Sequence, residues 1–235
     1  MKNLWSEKGA RAAVESHAGQ GVSADIALRV YSARLLGGDP KLVLHGGGNA
    51  SVKTPAKCVT GEAVPALFVK GSGHDMGRIE AAGFAAVRLE PLLKLAKLDK
   101  LDDRDMNNAR ACHLLDSHSP DPSVEFLLHA FLPHKYCDHT HSDAVLAVTN
   151  QADGGKLAHE VYKGRAGVVP YMKPGFGLAK KALEVYEGNP GVEALVLIKH
   201  GIFTFADSAK EAYGRMIDMV SLAEKRLTQG RKKVF

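Results

Sequence analysis

Residues 137–148 of this chain read CDHTHSDAVLAV, with two histidines, His139 and His141, two positions apart. On an extended segment, side chains at positions i and i+2 project from the same side of the strand. Two imidazoles on one side of a strand can bind one metal ion, since zinc favours nitrogen ligands at a short, fixed distance. An isolated pair of this kind is more often a polar strand edge at the surface. The pair therefore needs further ligands before it indicates a metal site.

Further candidate ligands lie on both sides of the pair, Glu125 upstream and His200 downstream. Three histidines, a carboxylate and an open position would form a catalytic metal site. Each residue also has a simpler interpretation. Glu125 would be stabilised by the dipole at the start of a helix and would form a helix-surface pair with His129. His200 would be an ordinary loop residue after a buried strand, although chain ends in α/β folds often carry functional groups.

Hydrophobic periodicity predicts one alternating α/β domain over residues 1–235. A helix begins at Ser23 or Asp25 and runs to Leu36, where Gly37 and Gly38 end it. Another begins at Pro122 and ends before Pro133, with Val124, Leu127, Leu128 and Phe131 as its buried stripe. Asp207 caps a last helix through Leu227, with Tyr213, Ile217 and Val220 inward. Short apolar runs predict strands over Leu42–Leu44, Ser51–Lys53, Ala66–Lys70 and Ala194–Ile198.

Two glycine-rich segments are candidate anion sites. Residues 45–51 read HGGGNAS and residues 71–73 read GSG, with Lys53 and Lys70 nearby. Backbone amides in such segments can point into one concavity that suits phosphate oxygens. Most glycine-rich turns bind no ligand, and neither segment has the flanks of a dinucleotide or nucleoside triphosphate motif. The sequence favours a smaller phosphorylated ligand here, provided the metal site is real.

Composition is that of a globular enzyme, with 45% hydrophobic and 24% charged residues. No apolar run approaches the roughly 18 residues of a membrane span, and the first residues form no secretory signal, so we expect a cytoplasmic protein without a membrane partner. Cys58, Cys112 and Cys137 are odd in number and form no CxxC motif, which favours reduced thiols. The net charge is +5, and apart from residues 231–233 the basic residues are dispersed, which favours a small anion over nucleic acid.

Five motifs together resemble the class II aldolase/adducin superfamily, which includes fuculose and rhamnulose phosphate aldolases. They are HGGGNASVK at 45–53, KGSG at 70–73, PSVE at 122–125, DHTH at 138–141 and KHG at 199–201. The resemblance covers about residues 28–223. It is strongest to the aldolase portion of bifunctional proteins that join a rhamnulose-1-phosphate-aldolase-like domain to a short-chain dehydrogenase. Because this chain stops at Phe235, we expect it to lack the dehydrogenase half.

The resemblance implies a three-layer α/β/α fold with a mainly antiparallel central sheet, assembled as a homotetramer. It implies that His139, His141 and His200 bind the metal, and that Glu125 is an acid/base that also binds the metal. Contacts to the substrate phosphate would come from Asn49, Ser51, Ser72, Gly73 and Ser123. Two departures stand out: Val124 replaces a second serine, and the tyrosine that polarises the aldehyde has no clear match. Tyr171 is assigned that role here, with Tyr162 as the alternative.

The expected function is a metal-dependent aldolase that cleaves a ketose 1-phosphate into dihydroxyacetone phosphate and an aldehyde. The sugar would be a deoxypentulose, methylthiopentulose or deoxyhexulose phosphate. Three imidazoles favour Zn²⁺, although Mn²⁺, Co²⁺ or Fe²⁺ fits the same set. Alternatives within the superfamily are a pentulose-phosphate 4-epimerase and a dehydratase; glutamate at 125, where epimerases usually have aspartate, favours the aldolase. A non-catalytic adducin-like interaction module is disfavoured because adducin heads lack the metal histidines.

Overall fold

A seven-stranded sheet forms the centre of the computed structural model, which describes residues 1–229. The strand order is β3-β2-β1-β4-β7-β6-β5. Neighbouring strands in the described residues run antiparallel, except β5 and β6, which are parallel. The strands are β1 Asn49–Lys57, β2 Ala63–Lys70, β3 Phe84–Arg88, β4 Tyr136–Thr140, β5 Ala166–Val169, β6 Ala194–Leu197 and β7 Gly201–Ala206.

Helices cover both faces of the sheet. One layer holds α2, α6, α7 and α9, with α1 packed on the outside of α2, and the other holds α3, α4, α5 and α8. The helices are α1 Glu7–Ala18, α2 Ala24–Gly37, α3 Leu89–Leu95, α4 Asp103–Cys112, α5 Phe126–Phe131, α6 Asp143–Thr149, α7 Gly154–Tyr162, α8 Phe176–Gly188 and α9 Ala209–Thr228. Short 3-10 turns span Met76–Arg78 and Ala81–Gly83. This arrangement confirms the predicted α/β/α fold with a mainly antiparallel sheet.

The sheet buries apolar side chains on both faces, and strand alternation separates them into two cores. On β7, Ile202 faces the α2/α9 layer, whereas Phe203 and Phe205 face the α5/α8 layer. On β6, Val196 and Leu197 divide in the same way. A sheet covered on both sides explains why residues 194–197 read as a continuous apolar run. The predicted strand Ala194–Ile198 is confirmed to within one residue.

Two of the predicted helices form, α2 with a cap that was predicted and α9 with a different one. Ser23 is the N-cap of α2, and its hydroxyl accepts a hydrogen bond from the Ile26 amide at 3.3 Å. The N-cap of α9 is Ser208 and not Asp207, because the Ser208 hydroxyl accepts from the Glu211 amide at 3.2 Å. The Asp207 carboxylate instead accepts from the backbone amide of Lys135. The inward face of α9 is as predicted, with Tyr213, Ile217 and Val220 buried.

The predicted strand at Leu42–Leu44 is wrong. The backbone amides of Leu42 and Val43 both donate to the carbonyl of Asp39, at 2.9 and 3.2 Å. Local turns therefore use the hydrogen bonds that a strand would give to a neighbour. Both side chains are buried although the segment is irregular, which is why its apolar run imitated a strand. The predicted strands Ser51–Lys53 and Ala66–Lys70 lie within β1 and β2.

The helix predicted from Pro122 begins only at Phe126. Pro122 forms a β-bridge with Gly71, and the amide of Ser123 donates to the carbonyl of Lys70 at 3.0 Å. This pairing with the end of β2 holds the backbone out of the helical conformation. Val124, predicted to be buried, is 46% exposed. Leu127, Leu128 and Phe131 are buried as predicted.

Several predictions concern the chain as a whole. Cys58, Cys112 and Cys137 are all free thiols. Within residues 1–229, no helix combines the length and apolar character that a bilayer crossing requires. The basic residues 231–233 lie outside the described residues. The single domain over residues 1–235 stays a prediction.

Candidate metal centre

Three histidines meet at one end of β4 and β7. His139, His141 and His200 each offer a ring nitrogen, and the three atoms lie within 4.8 Å of one another. The ring centroid of His139 is 4.8 Å from that of His141 and 5.0 Å from that of His200. The set combines the i, i+2 pair of the sequence with a residue about 60 positions later, as expected for metal ligands from two strands.

Strand alternation along β4 positions His139. Cys137 and His139 face the α5/α8 layer, and the His139 ring stacks on Phe203 of β7 with centroids 4.2 Å apart. Asp138 and Thr140 face the opposite layer, where Thr140 donates to the sulfur of Met216 on α9. The His139 Nδ1–H donates to the carbonyl of Ile202 at 3.1 Å. A carbonyl only accepts, so Nδ1 carries the proton and Nε2 keeps its lone pair, the usual state of a metal-binding histidine.

A tight turn between β6 and β7 delivers His200 to the site. The His200 amide donates to the carbonyl of Leu197 at 3.1 Å, and Lys199 adopts a left-handed conformation with φ +60°. Gly201 follows at a point of close approach, where a Cβ would lie 2.4 Å from the carbonyl oxygen of Thr140. Only glycine fits there, and this allows the turn to pack against β4.

Glu125 completes the cluster from the N-cap of α5. Its carboxylate oxygens lie 3.3 Å from His139 Nε2 and 3.4 Å from His200 Nε2. Burial raises the pKa of Glu125 to about 7, although a hydrogen bond from Asn49 acts to lower it. The carboxyl group, 6% exposed, therefore changes its protonation state easily near neutral pH.

Unpaired atoms converge between these side chains. Nε2 of His139, Nε2 of His141 and Oε1 of Glu125 are buried and have no hydrogen-bond partner among the described residues. Buried polar atoms without partners are costly, so such a group indicates a missing ligand. Two imidazole nitrogens and a carboxylate oxygen are donors that a divalent cation accepts. The residues fit a metal ion.

The histidines are suited to ligation in their protonation state. Burial lowers the pKa of His139 well below its usual value, and it also lowers the pKa of His141. Burial, with a contribution from His141, lowers the pKa of His200 to about 4. All three imidazoles are thus neutral at physiological pH and need not lose a proton before they bind a cation.

A cavity of about 240 Å³ opens beside the cluster. Glu125, His141 and His200 line it, so the carboxylate and two of the histidines face the space in which a substrate would lie. The other lining residues come from the glycine segments, the PSVE motif and the loop before α8, namely Gly46, Gly47, Gly48, Asn49, Lys70, Ser72, Gly73, Ser123, Val124 and Pro174. The cavity therefore joins the two glycine segments to the histidine cluster.

Lys70 holds the two glycine segments together. Its ammonium group donates to the carbonyls of Gly46 at 3.0 Å and His74 at 2.7 Å, and the residue is only 2% exposed. Burial lowers its pKa to about 8. The sequence places Lys70 in the KGSG motif and beside these segments, but no local pattern indicates that it links them. The other neighbour, Lys53, lies elsewhere, because its ammonium group donates to carbonyls in the loop before β4.

Asn49 and Ser51 differ in their relation to the cavity. The Asn49 side-chain amide donates to Ser123 Oγ at 3.0 Å and to Glu125 Oε2 at 2.8 Å. Ser51 is 1% exposed, does not line the cavity and bonds through its hydroxyl to His129 Nδ1 at 2.8 Å. The structure therefore does not bring Ser51 to the cavity, and its contact with a phosphate stays a prediction. His129 is fully buried, so the interpretation of Glu125 and His129 as a helix-surface pair is wrong.

The two tyrosines considered for the aldehyde lie away from the cluster. Tyr171 is 63% exposed and stands outside the residues that line the cavity in the described part of the chain. Tyr162 is 1% exposed and packs in the core of the α2/α9 layer. The catalytic role of Tyr171 stays a prediction.

Comparison with known proteins identifies the family. The family model described as "Class II Aldolase and Adducin N-terminal domain" matches residues 28–227, and the chain belongs to this family. A curated relative from Bacillus subtilis (strain 168), named "Uncharacterized oxidoreductase YuxG", is 37% identical over 195 residues, which are 83% of this chain. The chain spans 28% of the length of that relative.

Solved structures agree with the fold. The N-terminal class II aldolase domain of a conserved protein from Thermoplasma acidophilum has a TM-score of 0.85 and 40% identity, covering 97% of this chain and 99% of that one. L-fuculose-1-phosphate aldolase from Thermus thermophilus has a TM-score of 0.57 and 19% identity, covering 90% of this chain and 100% of that one. The latter likeness is one of fold. The predicted resemblance to the class II aldolases is confirmed.

Proposed function

We propose that this protein is a metal-dependent aldolase that cleaves a ketose 1-phosphate into dihydroxyacetone phosphate and an aldehyde. The observation that supports this most is the convergence of unpaired His139, His141 and Glu125 atoms beside a cavity. Family membership and the likeness to a fuculose-1-phosphate aldolase agree with it. We further propose zinc as the metal, a homotetramer as the assembly and the cytoplasm as the location.

His139, His141 and His200 would hold the divalent cation, with Glu125 as a further ligand. When bound, the cation supplies a Lewis acid that polarises the ketose carbonyl and offsets negative charge on its oxygen. The protein keeps the three imidazoles neutral by burial and fixes the His139 ring through the Ile202 carbonyl. The ligand set is therefore arranged before any cation binds.

Glu125 would move the proton at the carbon that changes its bonding. When the C3–C4 bond breaks, the electron pair stays on C3, and the Glu125 carboxylate takes the C4 hydroxyl proton as the aldehyde forms. Protonated Glu125 then delivers a proton to C3 to complete dihydroxyacetone phosphate. A pKa of about 7 suits this work, because an acid/base group is most effective near the working pH.

The substrate phosphate would lie between the glycine segments. Ser72 and Ser123 offer hydroxyls, and Gly73 offers a backbone amide, all at the lining of the cavity. Lys70 adds a buried positive charge behind these donors. Asn49 is a lining residue as well, whereas Ser51 does not line the cavity. Val124 places an apolar side chain at this subsite, which removes one donor and favours a substrate whose phosphate is held by the backbone.

Activity on ketose 1-phosphates tests the proposal. Purified protein is treated with a chelator, reloaded separately with Zn²⁺, Mn²⁺, Co²⁺ or Fe²⁺, and assayed for release of dihydroxyacetone phosphate from a panel of ketose 1-phosphates. We expect metal-dependent release, which His139→Ala and His141→Ala each reduce to background because they remove metal ligands.

His118→Ala is the matched control, since the side chain of His118 is 93% exposed and lies outside the cluster. Full activity in the two ligand variants would contradict the mechanism. Conversion of a pentulose phosphate into its C4 epimer, or its dehydration, without triose phosphate release would support the epimerase or dehydratase alternative instead.

A further inference from the structure

We propose that His129 is a positioning residue that orients Glu125 through the side chain of Asn49. Its partner on the other side is Ser51, which holds the imidazole in one tautomer. The inference rests on the proposed function, because it concerns how the acid/base group of that site is aimed. It also assigns a role to two buried polar residues that do not touch the cavity.

Four polar side chains form a continuous hydrogen-bonded chain inside the protein. Ser51 and Asn49 come from β1, His129 from α5 and Glu125 from the residue before α5. Their exposed fractions are 1%, 5%, 0% and 6% in that order. Ser51 and His129 do not line the cavity and are closed to water, so their polar groups must find partners within the hydrogen-bonded chain.

The direction of every hydrogen bond follows from the carboxylate end. In its ionised form Glu125 only accepts, so the Asn49 group that lies 2.8 Å from Glu125 Oε2 is the amide nitrogen. The same nitrogen donates its second hydrogen to Ser123 Oγ. Asn49 Oδ1 therefore faces the other way, where it meets Nε2 of His129. An amide oxygen only accepts, so Nε2 of His129 carries a proton.

His129 and Ser51, at the other end of the hydrogen-bonded chain, complete the assignment of donors and acceptors. Burial lowers the pKa of His129 well below its usual value, which keeps the ring neutral. With the proton on Nε2, Nδ1 is an acceptor and takes the hydroxyl hydrogen of Ser51 at 2.8 Å. The ring is also held edge-on against Phe203, with centroids 5.0 Å apart. His129 has one tautomer and one orientation.

This arrangement gives the two oxygens of Glu125 different surroundings. Oε2 accepts from Asn49 and lies 3.3 Å from His139 Nε2, whereas Oε1 lies 3.4 Å from His200 Nε2 and has no hydrogen bond from the described residues. If the Asn49 amide turned over, its oxygen would face the carboxylate and repel it. The donor from His129 prevents that turn. The hydrogen-bonded chain thus orients the Glu125 carboxylate so that Oε1 lies unpaired at the histidine cluster.

The tautomer of His129 can be measured directly. Protein labelled with ¹⁵N-histidine is examined by long-range ¹H–¹⁵N correlation NMR, with the His129 signals assigned by their disappearance in a His129→Gln sample. We expect His129 to be neutral and protonated at Nε2. A proton on Nδ1 would overturn the proposal, and this readout requires neither metal nor activity.

A matched pair of variants tests the consequence. In His129→Gln the amide nitrogen replaces Nε2 and can still donate to Asn49, whereas in His129→Asn the amide nitrogen replaces Nδ1 and that donor is lost. We expect Co²⁺ affinity and kcat to fall roughly 10–100-fold in His129→Asn, as for other residues that orient metal ligands, and to be largely retained in His129→Gln. Equal losses in both, or none in either, would overturn the proposal.

The outcomes separate this inference from the proposed function. Wild-type protein that binds Co²⁺ but releases no dihydroxyacetone phosphate would contradict the aldolase activity and leave the positioning role testable by affinity. Should His129→Asn fail to fold, the NMR experiment on the wild-type protein still decides the tautomer.

Thr204→Val is a control for loss of a buried polar group, since Thr204 is fully buried and its hydroxyl donates to the carbonyl of Ala212.

Discussion

Gly201 packs closely against two of the proposed metal ligands. A Cβ there would lie 2.4 Å from the carbonyl oxygen of Thr140, 3.0 Å from Cε1 of His139 and 3.2 Å from Cδ2 of His141. A backbone oxygen cannot move aside as a flexible side chain can. The spacing of the histidines therefore depends on the absence of a side chain at this position.

Gly201→Ala should separate β7 from β4 and disturb both histidines. We expect a loss of about 1–3 kcal/mol in the free energy of unfolding, as for other overpacked sites. Zn²⁺ affinity should fall as well, measured by titration calorimetry. Gly188→Ala is the matched control, since a Cβ there meets nothing within 4 Å. Unchanged Zn²⁺ affinity in Gly201→Ala would show that the ligand spacing does not depend on this glycine.

Residues of the site differ in how far local sequence reveals them. His139 and His141 share a side of the chain because extended backbone repeats every two residues, and this is visible without a structure. His129 resembled a surface partner of Glu125, since positions i and i+4 are neighbours on any helix. Its actual partners, Asn49 and Ser51, are about 80 residues away in sequence. No local pattern encodes that contact.

At the scale of elements, a buried ion pair joins α2 to the strand that carries the histidines. Arg29 on α2 contacts Asp138 on β4, and both side chains are fully buried. Arg29 also donates to the carbonyl of Ser51 at 3.3 Å and to the hydroxyl of Ser32 at 2.8 Å. Since Asp138 and His139 point to opposite faces, this pair holds β4 from one side while the site forms on the other.

Asp138→Leu should leave the Arg29 charge buried without a partner. We expect it to lower the free energy of unfolding by about 3–5 kcal/mol, measured by urea denaturation. The double variant Arg29→Met/Asp138→Leu removes both charges and should lose clearly less. If the double variant were as unstable as the single one, lost packing and not the unpaired charge would be the cause.

Element prediction succeeded where one local pattern dominates. The α2 helix has a serine cap and buried apolar residues at helical spacing, and α9 has a buried apolar stripe over 20 residues. It failed at Leu42–Leu44 and at Pro122, where backbone hydrogen bonds to Asp39 and to Lys70 decide the conformation. The turn at Asp39 is local but was masked by the apolar run, whereas the Lys70 partner is distant in sequence and depends on the surrounding fold, so apolar runs and proline positions alone could identify neither.

At the scale of the whole molecule, metal binding and folding should be coupled. The proposed ligands come from the start of α5, from β4 and the residue after it, and from the turn before β7, so an unfolded chain has no site of this geometry. A ligand that binds only the folded state stabilises it in proportion to the logarithm of its concentration. Binding of a metal ion at the centre can therefore be measured as an increase in the free energy of unfolding.

Zn²⁺ at 100 times its dissociation constant should raise the free energy of unfolding by about 2.7 kcal/mol over protein in chelator. Urea denaturation in the two conditions measures the difference. In His139→Ala/His141→Ala the increment should vanish, because only His200 and Glu125 remain. An increment of the same size in that variant would place the stabilising zinc elsewhere on the protein.

The sequence by itself determined the α/β class, the family and most of the residues at the site. These follow from side-chain periodicity and short motifs, which act over a few positions of the chain. Only the tertiary structure decided the strand order and the position of His200 beside the β4 pair. It also decided that Ser51 lies away from the cavity and that hydrogen bonds connect His129 to Glu125. Those depend on contacts between distant segments, and a buried polar group takes whichever partner the packed core places within reach.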